Sequence, residues 1–251
     1  MKILFWSLAA LILVPLAFSI ARGVAYDGTW RDAPRHSAGL APDPAQTPEA
    51  VVQFYTARAF NWRGYVATHP WIILKRSGES RYTRYEVVGW GGGDVVKRNY
   101  AAPDAYWFGA EPQLMASYRG ANVDALIERI EAAIEAYPHR DTYRSWPGPN
   151  SNTFLAHVAR SVPELRLDIP ANAIGKDYRA LDASFAWAPS GTGVQASLLG
   201  VAGLTLGLEE GIEINLLGLN FGVDVLQPAL RVPGLGRLGW PEETERQMDM
   251  L

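Results

Sequence analysis

The chain has 251 residues, a formal net charge of −3 at pH 7, no cysteine and 48% apolar residues. That length suits one large domain or two small ones, with enough core to do without disulfides. The missing thiol excludes cysteine nucleophiles and cysteine-bound zinc, and the slightly acidic balance argues against nucleic acid, which needs a basic face.

Lys2 is followed by an uncharged run, Ile3 to Ala21, of roughly 19 residues, about the length that spans a bilayer core. Residues 1–22 read as a signal peptide or a membrane anchor. The small-x-small triplet Ser19-Ile20-Ala21 suits cleavage, whereas the long apolar run suits an anchor. Either way the body is expected beyond a membrane. Residues 23–47, rich in Pro, Asp, Gly and Ala, read as a linker or a strap across the domain. Thr47-Pro48-Glu49 has the composition of a helix start, and Val51, Val52, Phe54, Tyr55 and Ala59 supply a stripe for that helix to bury.

A hairpin follows. His69 to Lys75 is one strand, Ser77-Gly78-Glu79-Ser80 the turn, and Tyr82 to Val88 the return. The turn implies pairs whose numbers sum to an odd value, so Trp71 faces Glu86 and His69 lies on the same face, diagonal to it. Gly91-Gly92-Gly93 is a loop, with neither dinucleotide nor P-loop spacing. Val123 to Tyr137 is an amphipathic helix ended by Pro138. A second helix opens at Asn150-Ser151-Asn152-Thr153-Phe154 and ends before Pro163. From Ala183 alternating runs (204–208, 212–216 and 219–225) predict an antiparallel meander. A turn or bulge is needed where the apolar parity shifts, at Leu216–Leu217. Gly207, Gly218 and Gly222 give one face a smooth surface, either packed on the domain or open to a backbone or lipid. Residues 241–251 read as a loose polar tail.

Most chemical motifs are missing. His36, His69, His139 and His157 show no metal-ligand spacing, and no cofactor is expected. There is no G-x-S-x-G elbow. One constellation remains. Ser151 shares a helical stripe with Phe154, Leu155 and Val158, so it points inward. Free N–H groups at this helix start, around Asn150, Ser151 and Asn152, suit a developing negative charge. If that helix packs on the hairpin face, Ser151, His69 and Glu86 form a nucleophile, a base and its orienting carboxylate. Trp71 and Trp146 are candidate cleft walls. The bland alternatives are a capping serine, a satisfied histidine and a solvated Glu86.

This order of elements, with a hairpin starting His-x-Trp and a later helix opening Asn-x-Asn-x-Phe, resembles the circularly permuted papain-like superfamily. That superfamily includes NlpC-type peptidases, lecithin–retinol acyltransferase-like enzymes and PPPDE-type peptidases. The likeness covers about Ala67 to Val162. It implies that His69 is the base and that Ser151 stands where the family has its cysteine. It also implies a polar residue on the strand after the histidine strand, a role that Glu86 fits. The string Trp-Pro-Gly-Pro-Asn-Ser-Asn-Thr-Phe is also similar to one in an uncharacterised family of bacterial envelope proteins, a domain of unknown function.

The expected fold is α+β. Residues 48–180 would form a papain-like core of helices on a His-bearing antiparallel hairpin, and residues 181–240 a β-meander packed on it. The expected address is the bacterial cell envelope, with the N-terminal segment in the inner membrane and the body on the periplasmic side. The expected function is a hydrolase or acyl transferase acting on amide or ester bonds of cell-wall peptide or lipid. The alternatives are a non-catalytic binding or scaffold protein with a degenerate pocket, and a structural role for the meander against lipid or a partner protein.

Overall fold

A computed structural model describes residues 2–120, 122–240 and 244–247, the side chains of 2–5, 7–9, 11 and 245–247 excepted. Among the described residues the fold is mixed α+β, with three α-helices and two largely antiparallel sheets. Helix α1 is Lys2–Ala21. Its buried Ser19 donates a hydrogen bond to the Tyr65 carbonyl at 2.6 Å, which ties α1 to the body. Among the described residues no helix is long and apolar enough to cross a membrane. The expected span falls in part on side chains outside the described ones. Residues 23–50 run without helix or strand but are tied down. The Asp104 carboxylate accepts from Ser37 Oγ at 2.6 Å and from the Leu40 and Ala41 N–H groups at 2.5 and 3.1 Å.

The helix expected from Thr47 is instead strand β1, Val51–Arg58. β1 is a central strand, between β5 (Gln113–Arg119) and β2 (Thr68–Lys75). It is buried on both faces, so its apolar residues do not alternate. The Thr47 hydroxyl donates to the Asp43 carbonyl and caps nothing. β2 pairs with β3 (Thr83–Val87) through Ile72–Tyr85 and Ile73–Arg84, which is the odd-sum register. β4 (Val96–Arg98) and β13 (Glu245–Gln247) close the two edges, β13 running parallel to β5. Part of the expected loose tail is therefore a strand. Residues 241–243 and 248–251 lie outside the described residues.

Helices α2 (Val123–Glu135) and α3 (Ser151–Ser161) cover one face of this sheet. Their stripes bury Leu126, Ile130, Phe154 and Val158 against Phe54 and Ile72. The other face holds a second cluster of Tyr55, Trp71, Ile73, Trp107 and Phe108, and His69, stacked on Trp107, lies on that side. Contrary to expectation α3 does not pack on the hairpin face that bears His69, and it is the start of α3 that approaches it. Ile130 is fully buried in the first cluster. Ile130→Ala should therefore cost about 2–5 kcal/mol, read as a drop in the denaturant midpoint with an unchanged slope.

The second sheet is a continuous meander of β6 (Phe185–Trp187), β7 (Gly193–Leu198), β8 (Ala202–Gly207), β9 (Gly211–Leu216), β10 (Leu219–Asp224), β11 (Ala229–Val232) and β12 (Gly236–Gly239). The parity shift after Leu216 is a two-residue hairpin turn in which Leu217 (φ 56) and Gly218 (φ 84) are both left-handed. The faces are inverted relative to an ordinary half-buried sheet. The polar residues Gln195, Thr205, Glu213, Asn215 and Asn220 are buried, while Leu204, Leu206, Ile212 and Ile214 are exposed. The glycine-bearing face is the packed one: a Cβ at Gly207 would meet Glu210, and at Gly222 it would meet Glu213. Buried hydrogen bonds replace an apolar core there. Asp177 accepts from Asn215 Nδ2 and Asn220 Nδ2, both at 2.7 Å, and from Gln195 Nε2 at 2.6 Å. Lys176 donates to Glu213 at 2.5 Å.

Candidate active site

Helix α3 begins in a capping box. Asn150 is extended (φ −147), and its Oδ1 accepts the N–H groups of Asn152 (2.9 Å) and Thr153 (3.1 Å). Thr153 Oγ1 accepts the Asn150 N–H in return. Asn150 Nδ2 donates to the carbonyls of Ser145 and Ile174. Asn150 is thus a structural cap, and the Asn152 N–H expected to face an oxyanion is already used. Ser151 occupies the first helical position, where the backbone N–H has no partner within the helix. Asn152 Nδ2 donates to Thr68 O (3.1 Å) and Ile174 O (2.9 Å), which fastens the start of α3 to the residue before His69. Asn152 Oδ1 is buried without a partner.

Gly175 packs against this cap. It has φ +98, and a Cβ there would lie 2.3 Å from Asn150 Nδ2. Gly175→Ala should displace the cap as well as strain the backbone. We expect a loss of about 1–3 kcal/mol, visible as a lower thermal midpoint.

The hairpin supplies the second half. His69 Nε2 and Glu86 Oε2 are 3.0 Å apart, and both residues are buried. Arg84, two residues before Glu86 and on the same face, grips its carboxylate with Nε (2.7 Å) and Nη2 (3.1 Å). Burial pushes the Glu86 carboxyl up, but the His69 hydrogen bond and the Arg84 charge outweigh it and hold the group below its usual value. Glu86 is therefore ionised and can only accept, so the proton of neutral His69 sits on Nε2 and Nδ1 carries the lone pair. Burial lowers the His69 pKa despite the raising influence of Glu86, so the ring is neutral at pH 7. Trp107 lies flat on the imidazole, with centroids 3.5 Å apart and planes at 6°.

His69, Ser151, Asn150, Asn152 and Tyr143 line one cavity of about 670 Å³. Glu86 stands behind His69 and does not line it. Ser151 lies beside the Tyr143 hydroxyl and partly offsets the burial that pushes the Tyr143 pKa up, and among the described residues no hydrogen bond joins Ser151 to His69. The two expected wall residues lie elsewhere. Trp71 is buried beneath the site, donating to Pro103 O at 2.8 Å, with the Arg84 guanidinium 4.2 Å above its ring. Trp146 is half exposed and donates to Leu217 O in the meander. The walls are Trp30, Phe60, Trp90, Trp107 and Phe108. They come from four separate stretches of chain, and no spacing in the sequence links them to His69. Arg84 was missed, although period-two alternation puts it on the same face as Glu86. Among the described residues no group of three or more His, Asp or Glu side chains is placed to hold a metal ion.

A buried neutral base with an open nitrogen and a hydroxyl at a helix start, on one cavity, have the parts needed for nucleophilic acyl chemistry. No curated protein and no solved structure matches the chain. A family described as "Protein of unknown function (DUF3750)" matches residues 49–178, a span that contains His69, Glu86 and the whole of α3. With more than half of its 251 residues matched, the chain belongs to that family.

Proposed function

We propose that the protein is a serine-type hydrolase or acyl transferase with a papain-like arrangement, acting at a membrane-bound address in the cell envelope. The observation that carries the reading is the 3.0 Å contact of His69 Nε2 with Glu86, which leaves Nδ1 as the base nitrogen on a residue that shares its cavity with Ser151. The Ser151 hydroxyl turns towards Nδ1 and loses its proton there as its oxygen bonds to the substrate carbonyl carbon. The Ser151 N–H, aided by the α3 dipole, stabilises the resulting oxyanion. His69 then returns the proton to the departing amine or alcohol as the C–N or C–O bond breaks. Water or a second acceptor releases the acyl group by the same steps in reverse. The aromatic walls favour a substrate with an apolar portion, which inclines the choice between cell-wall peptide and lipid towards lipid. The length and apolarity of residues 3–21 support the membrane address.

A second reading has a specific observation behind it. The partner of the His69 ring is Glu86, and among the described residues no hydrogen bond joins it to Ser151, as in a pocket that binds without reacting. A fluorophosphonate probe separates the two. Stoichiometric labelling at Ser151, fading as His69 is protonated below pH 6.5, is the expected result. A folded protein that takes up no probe under any of these conditions is a binding protein.

A further inference from the structure

The outward face of the meander is apolar from edge to edge. The pairings Trp187–Val194, Val194–Leu206, Leu206–Ile212, Ile212–Val223, Val223–Leu230 and Leu230–Leu238 run across all seven strands on one side. The positions two residues along, such as Phe185, Ala196, Leu204, Ile214 and Phe221, continue the same side. No polar or charged side chain stands among them. Leu208, Leu217, Val225 and Leu226 extend the apolar surface to the hairpin tips, and all four are exposed. The largest apolar patch on a typical monomer is about 300–600 Å² and is often functional. A seven-stranded face bearing only apolar side chains is larger than an ordinary surface tolerates.

We propose that this face docks onto the hydrocarbon boundary of a lipid bilayer. Three observations select lipid over a protein partner. First, protein interfaces carry about one hydrogen bond per 100–200 Å², and this face offers no polar side chain to make one. Second, exposed tryptophans stand at both edges of the sheet. Trp187 ends β6 and Trp240 follows β12, each 68% exposed, where indoles anchor at the headgroup level. Third, the surface is tied to the apolar helix α1. Ser19 donates to Gly234 O, in the turn joining β11 to β12, at 3.4 Å. The polar network beneath the sheet follows from this arrangement: with its apolar side turned to lipid, the sheet holds the body by hydrogen bonds. The inference stands apart from the chemistry of Ser151.

The chain has no cysteine, so single cysteines report local surroundings in the full-length protein. Ile214→Cys and Leu230→Cys place an environment-sensitive fluorophore on the face, and Ser80→Cys places one in the exposed β2–β3 turn. All three positions are solvent-accessible, so no core contact is lost. The proteins are reconstituted in phosphatidylethanolamine–phosphatidylglycerol vesicles containing nitroxide-labelled lipid. Blue-shifted emission at 214 and 230, quenched several-fold more strongly than at 80, is expected. Equal quenching at all three positions would show the face in water and overturn the proposal. A blue shift without lipid quenching, together with bismaleimide cross-linking between chains of the unlabelled Ile214→Cys protein, would overturn it in favour of a second copy.

Discussion

Replacing Ser151 by alanine is expected to lower turnover of an acyl substrate by about three to six orders of magnitude, with little loss of fold. The side chain is small, and losing its buried hydroxyl should cost no more than about 1 kcal/mol. In a chain of this size the thermal midpoint should fall by only about 2–4 °C. Asn150 supplies the helix cap, so α3 does not depend on Ser151 for its start. A Ser151→Ala protein with this small thermal shift and wild-type turnover would exclude the nucleophile. Ser151→Cys gives a complementary reading. It introduces the chain's sole thiol, more readily ionised than the hydroxyl it replaces, beside a neutral imidazole with an open nitrogen. Iodoacetamide should modify it faster than a free thiol, and His69→Ala should remove that excess.

The second large effect concerns the charges behind His69. Arg84 and Glu86 are both buried and grip each other bidentately. Arg84→Met leaves Glu86 buried without its cation and should cost about 3–5 kcal/mol, measured by urea unfolding. Acid should act in the same direction. Glu86 titrates below its ordinary 4.5 in the fold, so its stabilisation is complete above that value and is lost as the pH falls through the lower, folded one. His69 titrates below 6.5. The fold thus favours neutral imidazole, and this contribution too is complete above 6.5 and declines with acidification. Glu86→Gln should flatten the part of the loss at and below pH 4.5. It should also cut turnover, by up to about 10⁴-fold, because an amide can present a donor to Nε2 and favour the wrong tautomer.

Elements with a strong local period were legible in the sequence. The β2–β3 register followed from a short turn, and with it the His69–Glu86 juxtaposition, because the side-chain period of a strand is strictly two. Helices α2 and α3 followed from their stripes. β1 was misread because a strand buried on both faces loses its alternation, and Val51, Val52, Phe54 and Tyr55 then mimic a helical stripe. The site was half legible. His69 and Ser151 sit at element starts with recognisable chemistry, whereas Trp107, stacked on His69, is placed by tertiary packing alone. In the meander, alternation divides the residues into two faces but does not say which one meets water. The usual rule turns the apolar set inward, and the buried Asp177 network reverses it.

The two sheets also differ in how far along the chain their partners lie. Every pairing in the meander joins neighbours in sequence, so it can zip up strand by strand as the chain emerges from the ribosome. The other sheet cannot. β5 must return past β2, β3 and β4 to reach β1, and among the described residues its outer edge is covered by Thr244 and Glu245–Gln247. Such distant closures are slow, because the loop entropy is lost before any contact repays it. Until residue 247 has been made, β5 presents an unpaired edge, open to strands of other chains. A nascent or truncated chain should therefore depend on chaperones at this edge, while its meander is already formed.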